Sequence, residues 1–290
     1  MKTEEITLKV ITPMFMLGAD NKTPELRPSE FKGMMRFWWR AIRACDDIDK
    51  LKKEEVEIFG GSGENEGKSK VKITLKPIQI AYGEYRVLPH SETKFFKSNS
   101  IKENSTFKIL LTTYDDNYFE TAKNALLISI LVGGFGKRSR RGFGSCQIIN
   151  SQQLNFENLS EQEFMNKICE TLNKISSTYS IQKENNNVKI KNNQKGENYP
   201  WIREIIIGRG DNSWENLLKR IGNASHKNCD PSLGSGKPRM ASPVYVSIVK
   251  LKDKYYPIIT ELNFYFPKNY PRYNFQKKND FIREVVLWVK

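Results

Sequence analysis

Residues 119–150 read FETAKNALLISILVGGFGKRSRRGFGSCQIIN: an apolar run of helix length, a glycine-rich basic segment, then a short stretch of strand character. Gly133, Gly134, Gly136, Gly142 and Gly144 crowd around Lys137, Arg138, Arg140 and Arg141. Two nucleotide fingerprints fail on this segment. A P-loop needs Ser or Thr after its Gly-Lys pair, but Gly136-Lys137 is followed by Arg138, and no register of three glycines gives GxGxxG. What is left is a flexible helix-to-strand turn whose amides and arginines suit a phosphodiester chain, since a guanidinium clamps phosphate through paired hydrogen bonds.

Outward from this segment, ITLKVITP (6–13) alternates as a half-buried strand does, and the turn-rich LGADNKTPELRP follows it. Ser29 stands at an N-cap position, and Phe31, Met35, Trp38, Ile42 and Cys45 recur at helical spacing, which predicts a helix over 30–44. VKITLKPIQIAY (71–82) and STFKILLTTY (105–114) read as strands. With the helix and strand of 119–150 the order is β-α-β-β-α-β, a ferredoxin-like arrangement with helices on one side of an antiparallel sheet.

The second half repeats this less clearly. Ser160 and Glu163 form a capping box ahead of the stripe Phe164, Ile168, Leu172 and Ile175. Residues 182–198, QKENNNVKIKNNQKGEN, are expected to be a polar, mobile insertion. WIREIIIG then reads as a strand, SWENLLKRIG as a helix, SPVYVSIVKL and YYPIITELNFYF as a hairpin, and DFIREVVLWVK as a helix, with no final strand to be found. The expected fold is α+β with two ferredoxin-like (RRM-like) domains, residues 1–155 and 156–290.

Lys and Arg number 47 against 33 Asp and Glu, a net charge of +14, and both halves are basic. A polyanionic partner is favoured, nucleic acid ahead of a membrane surface. The four cysteines are scattered and the N-terminus lacks an apolar signal-peptide core, so a soluble cytoplasmic protein is expected. On the first helix Lys32, Arg36, Arg40 and Arg43 fall within roughly 80° of arc, opposite the apolar positions. Trp39 lies at the border, placed to stack on a base or to pack at an interface. Glu30 is the one acid interleaved with these cations, so an anion from elsewhere should compensate them.

The segment GGFGKRSRRGFGS resembles the glycine-rich loop of the RAMP superfamily of CRISPR-associated RNA-binding proteins. ITPMFMLGADNKTPELRPSEFKGMMRFWWRAI is similar to the opening of the first RAMP subunit of the Cmr (type III-B) effector complex, and PRMASPVYVSI (238–248) resembles a strand entry in the same family. The resemblance implies a subunit that helps hold guide RNA and target RNA beside other Cmr-complex proteins. Family-type RNA contacts carry over to Lys32, Arg36, Trp39, Arg40 and residues 137–141. Gly134, Gly136 and Arg43 belong to the same two constellations, while Arg209 and Arg239 are candidate contacts from the second half.

Catalysis is not indicated. His90 and His226 are the only histidines, and His90 reads as an exposed loop residue. His226 with Cys229 lacks a second ligand pair, so neither a metal nor a cofactor is expected. Asp20 fits an Asx turn. The expectation is a non-catalytic RNA-binding protein of antiviral defence, and the alternative is a metal-independent endoribonuclease that processes guide precursor RNA. Tyr255, Tyr256, Phe264, Tyr265 and Phe266 are expected in core or interface rather than as a stacking platform.

Overall fold

The computed structural model describes residues 1–64, 66–91, 96–150, 156, 158–184, 187–193, 199–263, 266 and 269–287. Its first half runs β1 (Lys2–Val10), α1 (Pro28–Arg43), α2 (Ile48–Phe59), β2 (Val71–Gln79), β3 (Tyr82–Arg86), β4 (Lys97–Ile101), β5 (Thr106–Thr113), α3 (Phe119–Leu131) and β6 (Cys146–Asn150). β2, β5, β1 and β6 form, in that order, one antiparallel sheet, and β3 and β4 form a separate hairpin. Alternation is visible along β5, where Phe107, Ile109, Leu111 and Thr113 point inward. The same face receives Phe31 of α1, whose ring meets Phe107 at 5.7 Å. Truncating Phe31, which is fully buried, removes a core anchor worth about 3–5 kcal/mol.

One local reading is corrected here, and three elements join those expected. α1 begins at Pro28 with Arg27 as its cap and no side-chain cap bond, so Ser29 lies inside the helix; proline has no N–H to satisfy and its φ is already helical. A second helix, α2, follows directly, its N-terminus capped by Asp47, which accepts from Lys50 N at 2.9 Å. Asp47 and Asp49 thus stand at the start of this helix, where its dipole favours negative charge. The hairpin β3–β4 was also not anticipated, because its strands carry few apolar residues.

The second half runs α4 (Glu161–Asn173), β7 (Tyr179–Glu184), β8 (Asn187–Asn192), β9 (Ile202–Ile207), α5 (Trp214–Lys227), the two-residue strands β10 (Ser235–Gly236) and β11 (Arg239–Met240), β12 (Val244–Leu251), β13 (Lys254–Leu262) and α6 (Phe275–Leu287). The Ser160–Glu163 capping box opens α4 as expected. Its sheet has the order β12-β13-β9-β8-β7, antiparallel throughout.

The region read as a mobile insertion thus carries two paired strands over much of its length. Ile190 is fully buried and pairs with Ile181 and Ile205, so one buried residue in a polar stretch anchors the strand while local composition hides it. β8 lies beside β9, where the fourth strand of a β-α-β-β-α-β unit would lie. The strand missing at the end of the sequence pattern has its place filled from upstream.

Side chains of both sheets, α1, α3 and α4 form one contiguous buried cluster. A second cluster joins Ile11, Phe15 and Phe143 to α5, α6 and the inner faces of β12 and β13. Hydrogen bonds tie the halves as well: Tyr179 donates to the Ile42 carbonyl at 3.0 Å and Tyr199 to the Arg40 carbonyl at 3.0 Å. Among the described residues no helix is long and apolar enough to cross a membrane.

Candidate nucleic-acid interface

α1 turns its basic residues toward α2. Arg36 Nε donates to Glu55 at 2.6 Å, Arg40 pairs with the same carboxylate oxygen, and Arg43 reaches Glu54 through two nitrogens at 3.0 and 2.7 Å. The compensating anions expected for this face are therefore supplied by the chain itself. One carboxylate shared by two guanidinium groups still leaves a net positive charge there. Lys32 donates to the Val71 carbonyl at 3.1 Å, and burial, then Arg36, pulls its pKa down. Trp39 is only 2% exposed and packs against Phe59 at 6.2 Å between ring centres. Its reading as a base-stacking residue is corrected to core: the indole faces α2, not solvent.

Between α1, α2 and the loop 60–69 lies a cavity of about 680 Å³. Arg36, Arg40, Lys52 and Lys68 line it, with Glu55 and Glu66 as its carboxylates. Arg36 also donates to the Gly60 carbonyl at 3.2 Å. Sequence reasoning missed this loop, although Gly60-Gly61-Ser62-Gly63 followed by Lys68 and Ser69 was a legible signal of the same kind as the 133–144 segment.

The glycine-rich segment has another geometry. Several of its amides are spent on protein carbonyls: Phe135 N on Gly144 O at 3.0 Å, Lys137 N on Phe15 O at 2.9 Å, Gly142 N on Val246 O at 2.7 Å and Gly144 N on Pro13 O at 3.0 Å. Gly144 has φ of 65°, and a Cβ there would sit 1.9 Å from the Phe135 carbonyl oxygen. Gly134 and Gly136 are likewise enclosed by backbone, of Phe143 and Phe15 respectively. For the amides of residues 135, 137, 142 and 144 the expectation of an anion cradle is corrected: close chain packing is what the glycines here permit.

Its arginines reach into the second half. Arg141 donates to Ser225 Oγ (3.2 Å), to Ser242 Oγ (3.3 Å) and to the carbonyls of Arg140 (2.9 Å), Val244 (3.1 Å) and Leu233 (3.4 Å). Burial, then Arg138 and Arg140, pulls its pKa down to about 10, leaving it cationic at neutral pH. Arg140 bonds the Ser242 carbonyl and lies over the Tyr245 ring at 4.3 Å. Arg138 is partly buried over Phe143 at 5.9 Å. Arg140 and Arg141 fasten the halves together, a role their surroundings explain without RNA, while Arg138 packs within its own segment. Lys137 alone in the segment is exposed, its Nζ reaching Asn21 Oδ1 at 3.2 Å.

The two basic constellations use different sides of α1. The loop seats against Phe31 and Phe37, through Phe135 at 4.1 Å and Arg140 at 5.4 Å, while Arg36, Arg40 and Arg43 face α2. They do not form two banks of one groove. Arg209 and Arg239 are exposed, the latter on the β10–β11 hairpin. Asp20 accepts from Lys22 N, Thr23 N and Thr23 Oγ1, bonds that hold its pKa down at about 2 in a turn role.

His90 is not the exposed loop residue expected. It is half-buried beside His226 of α5, with 5.6 Å between ring centres. Tyr255 and Tyr256 pack against the two clusters, Phe266 stacks on Tyr273 at 3.7 Å, and Phe264 and Tyr265 lie outside the described residues.

Comparison with known proteins agrees with this architecture. The pattern of the RAMP superfamily matches residues 7–147, and the chain is 32% identical over 173 residues to the Cmr subunit Cmr1-2 of Pyrococcus furiosus, covering 49% of this chain and 92% of that protein. The chain belongs to the RAMP superfamily. This RAMP chain is also 27% identical to the subunit Cmr1-1 of the same organism, over 76% of this chain and 70% of the relative. In fold it is similar to the crystal structure of apo Cmr1 from Pyrococcus furiosus, with a TM-score of 0.66 at 20% identity over 98% of this chain and 96% of the other. A chain in the cryo-EM structure of type III-B Cmr-beta bound to cognate target RNA gives 0.58 at 14% identity over 97% and 98%. The RAMP match ends within β6, so it covers the first sheet and the glycine-rich segment, whereas the structural likeness extends through the second sheet.

Proposed function

We propose that this chain is a Cmr1-type subunit of a type III-B CRISPR ribonucleoprotein, built of two ferredoxin-like units, and that it grips guide and target RNA without cutting them. The strand order β2-β5-β1-β6, and the matching order β12-β13-β9-β8, support the two-unit reading. The observation that carries RNA binding is the cationic cavity between α1, α2 and the 60–69 loop, where four basic side chains face two carboxylates. Its fittings are charges and backbone amides, suited to phosphate and sugar, so sequence would be read by base pairing between the strands. Lys137, Arg209 and Arg239 are further exposed cations, outside this cavity.

Binding of single-stranded RNA, followed by filter retention, should weaken steeply as salt rises and vary little with sequence. Charge reversal at Arg36, Lys52 and Lys68 should lower both affinity and salt slope. Insensitivity to salt, or intact binding in these variants, overturns the reading.

One observation favours a second reading, cleavage of guide precursor RNA. His90 and His226, 5.6 Å apart between ring centres, are the pair of imidazoles that general acid–base chemistry would use. Discrete RNA products made in EDTA, and lost in both His90→Ala and His226→Ala, would establish it.

A further inference from the structure

The cationic cavity already holds one anion of its own. Glu66 Oε2 accepts from Gly63 N at 2.9 Å, a bond that holds its pKa below the ordinary carboxylate value, with Lys52 and the Ser62 amide adding to the pull. Its other oxygen lies 3.8 Å from Lys52 Nζ, and Arg36 adds its charge from α1. Gly61 makes the room: a Cβ at that position would sit 1.9 Å from Glu66 Oε2. Successive backbone N–H groups with a lysine and an arginine around them are the fittings of a phosphate nest.

We propose that this nest is a binding site for an RNA backbone phosphate, and that Glu66 is its internal stand-in, displaced when RNA arrives. The inference rests on the reading of the chain as an RNA-holding protein and names the place of one contact. A phosphodiester offers two anionic oxygens in much the same spread as a carboxylate, so the exchange preserves the hydrogen bond from Gly63 and leaves the Ser62 amide beside the anion. It also removes a competing negative charge from beside Lys52 and Arg36, which Arg40 and Lys68 then reinforce from the cavity wall. The cost is small, because Glu66 is held on a surface loop and returns to water when it leaves.

The test uses the full chain and a fluorescein-labelled single-stranded RNA without terminal phosphates, with affinity read by anisotropy at low salt. Glu66→Gln and Glu66→Ala should each bind about three- to tenfold more tightly than the parent, and Gly61→Ala, whose methyl fills the nest, at least about threefold more weakly. Circular dichroism should report an unchanged fold for all three. Parent-like affinity in the two Glu66 variants and in Gly61→Ala overturns the site while leaving RNA binding elsewhere intact. Should the parent chain not bind RNA at all, the function reading fails and the nest is decided separately. Inorganic phosphate is then titrated into Glu66→Ala, where shifts of the residue 61–63 amide signals support the site and their absence overturns it.

Discussion

Arg36 reaches from α1 into α2 and donates to the buried carboxylate of Glu55 at 2.6 Å. This bond answers why four cations sit on one helix face with almost no acid among them. Their counter-charge comes from the next helix, 19 residues along the chain. Since Arg40 shares the same oxygen, Glu55 neutralises half of the pair and orients both guanidinium groups at the rim of the cavity.

Glu55→Gln should lower folding stability by about 1–2 kcal/mol, since two partly exposed arginines lose a charge-assisted partner. RNA affinity at low salt should rise in the same variant, because the cavity gains a net positive charge. Urea unfolding and anisotropy measure the two effects, and a fall in both would mean that Glu55 places the arginines more than it masks them.

Arg141 is a structural residue by geometry, with five hydrogen bonds into its own loop and the second half. Arg141→Lys keeps the charge but not the planar fork, and should cost about 2–4 kcal/mol through acceptors left unpaired. Its RNA affinity, measured below the melting transition, should stay within about twofold of the parent. Lost affinity at unchanged stability would return Arg141 to the RNA surface.

Two glycine substitutions should have opposite signs. Gly144→Ala puts a methyl into the Phe135 carbonyl at a positive φ and should destabilise by more than about 3 kcal/mol. Gly33, on the exposed side of α1 with nothing within 4 Å of a built Cβ, should gain about 0.5–1 kcal/mol as alanine. Thermal melts of the two variants against the parent decide both.

Burial first, then His226 and Arg138, holds the His90 pKa below the ordinary imidazole value. The unfolded chain takes up this proton near the usual pH of about 6.5, whereas the folded chain resists it until lower pH. His90 therefore contributes stability that is complete above about pH 6.5 and lost as pH falls toward its folded value. Melting temperature followed from about pH 8 to pH 5 should fall less steeply in His90→Gln than in the parent. Equal slopes would place the acid sensitivity elsewhere.

Much of this protein is written in local pattern. Alternation in β1 and β5, the apolar runs of β12 and α3 and the capping box at Ser160 each depend on neighbours a few residues away, so these elements and their order were legible directly. The strands β7 and β8 were not, because polar strands at one end of the sheet lend the core few residues and resemble solvated loop in composition. The destinations of the charges were equally hidden. A guanidinium on a helix face reads the same in sequence whether it meets RNA, water or a carboxylate.

Only the packed chain decided that Arg36 meets Glu55, that Arg141 binds carbonyls 92 to 103 residues away, and that His90 lies beside His226. Hydrophobic periodicity sets which face of an element is buried, but pairing of polar groups depends on which surfaces the fold brings together. The sequence alone therefore determined a basic α+β protein of this superfamily. The tertiary structure decided which cations fasten the two halves and which remain, at the mouth of the 60–69 cavity, for a phosphate to find.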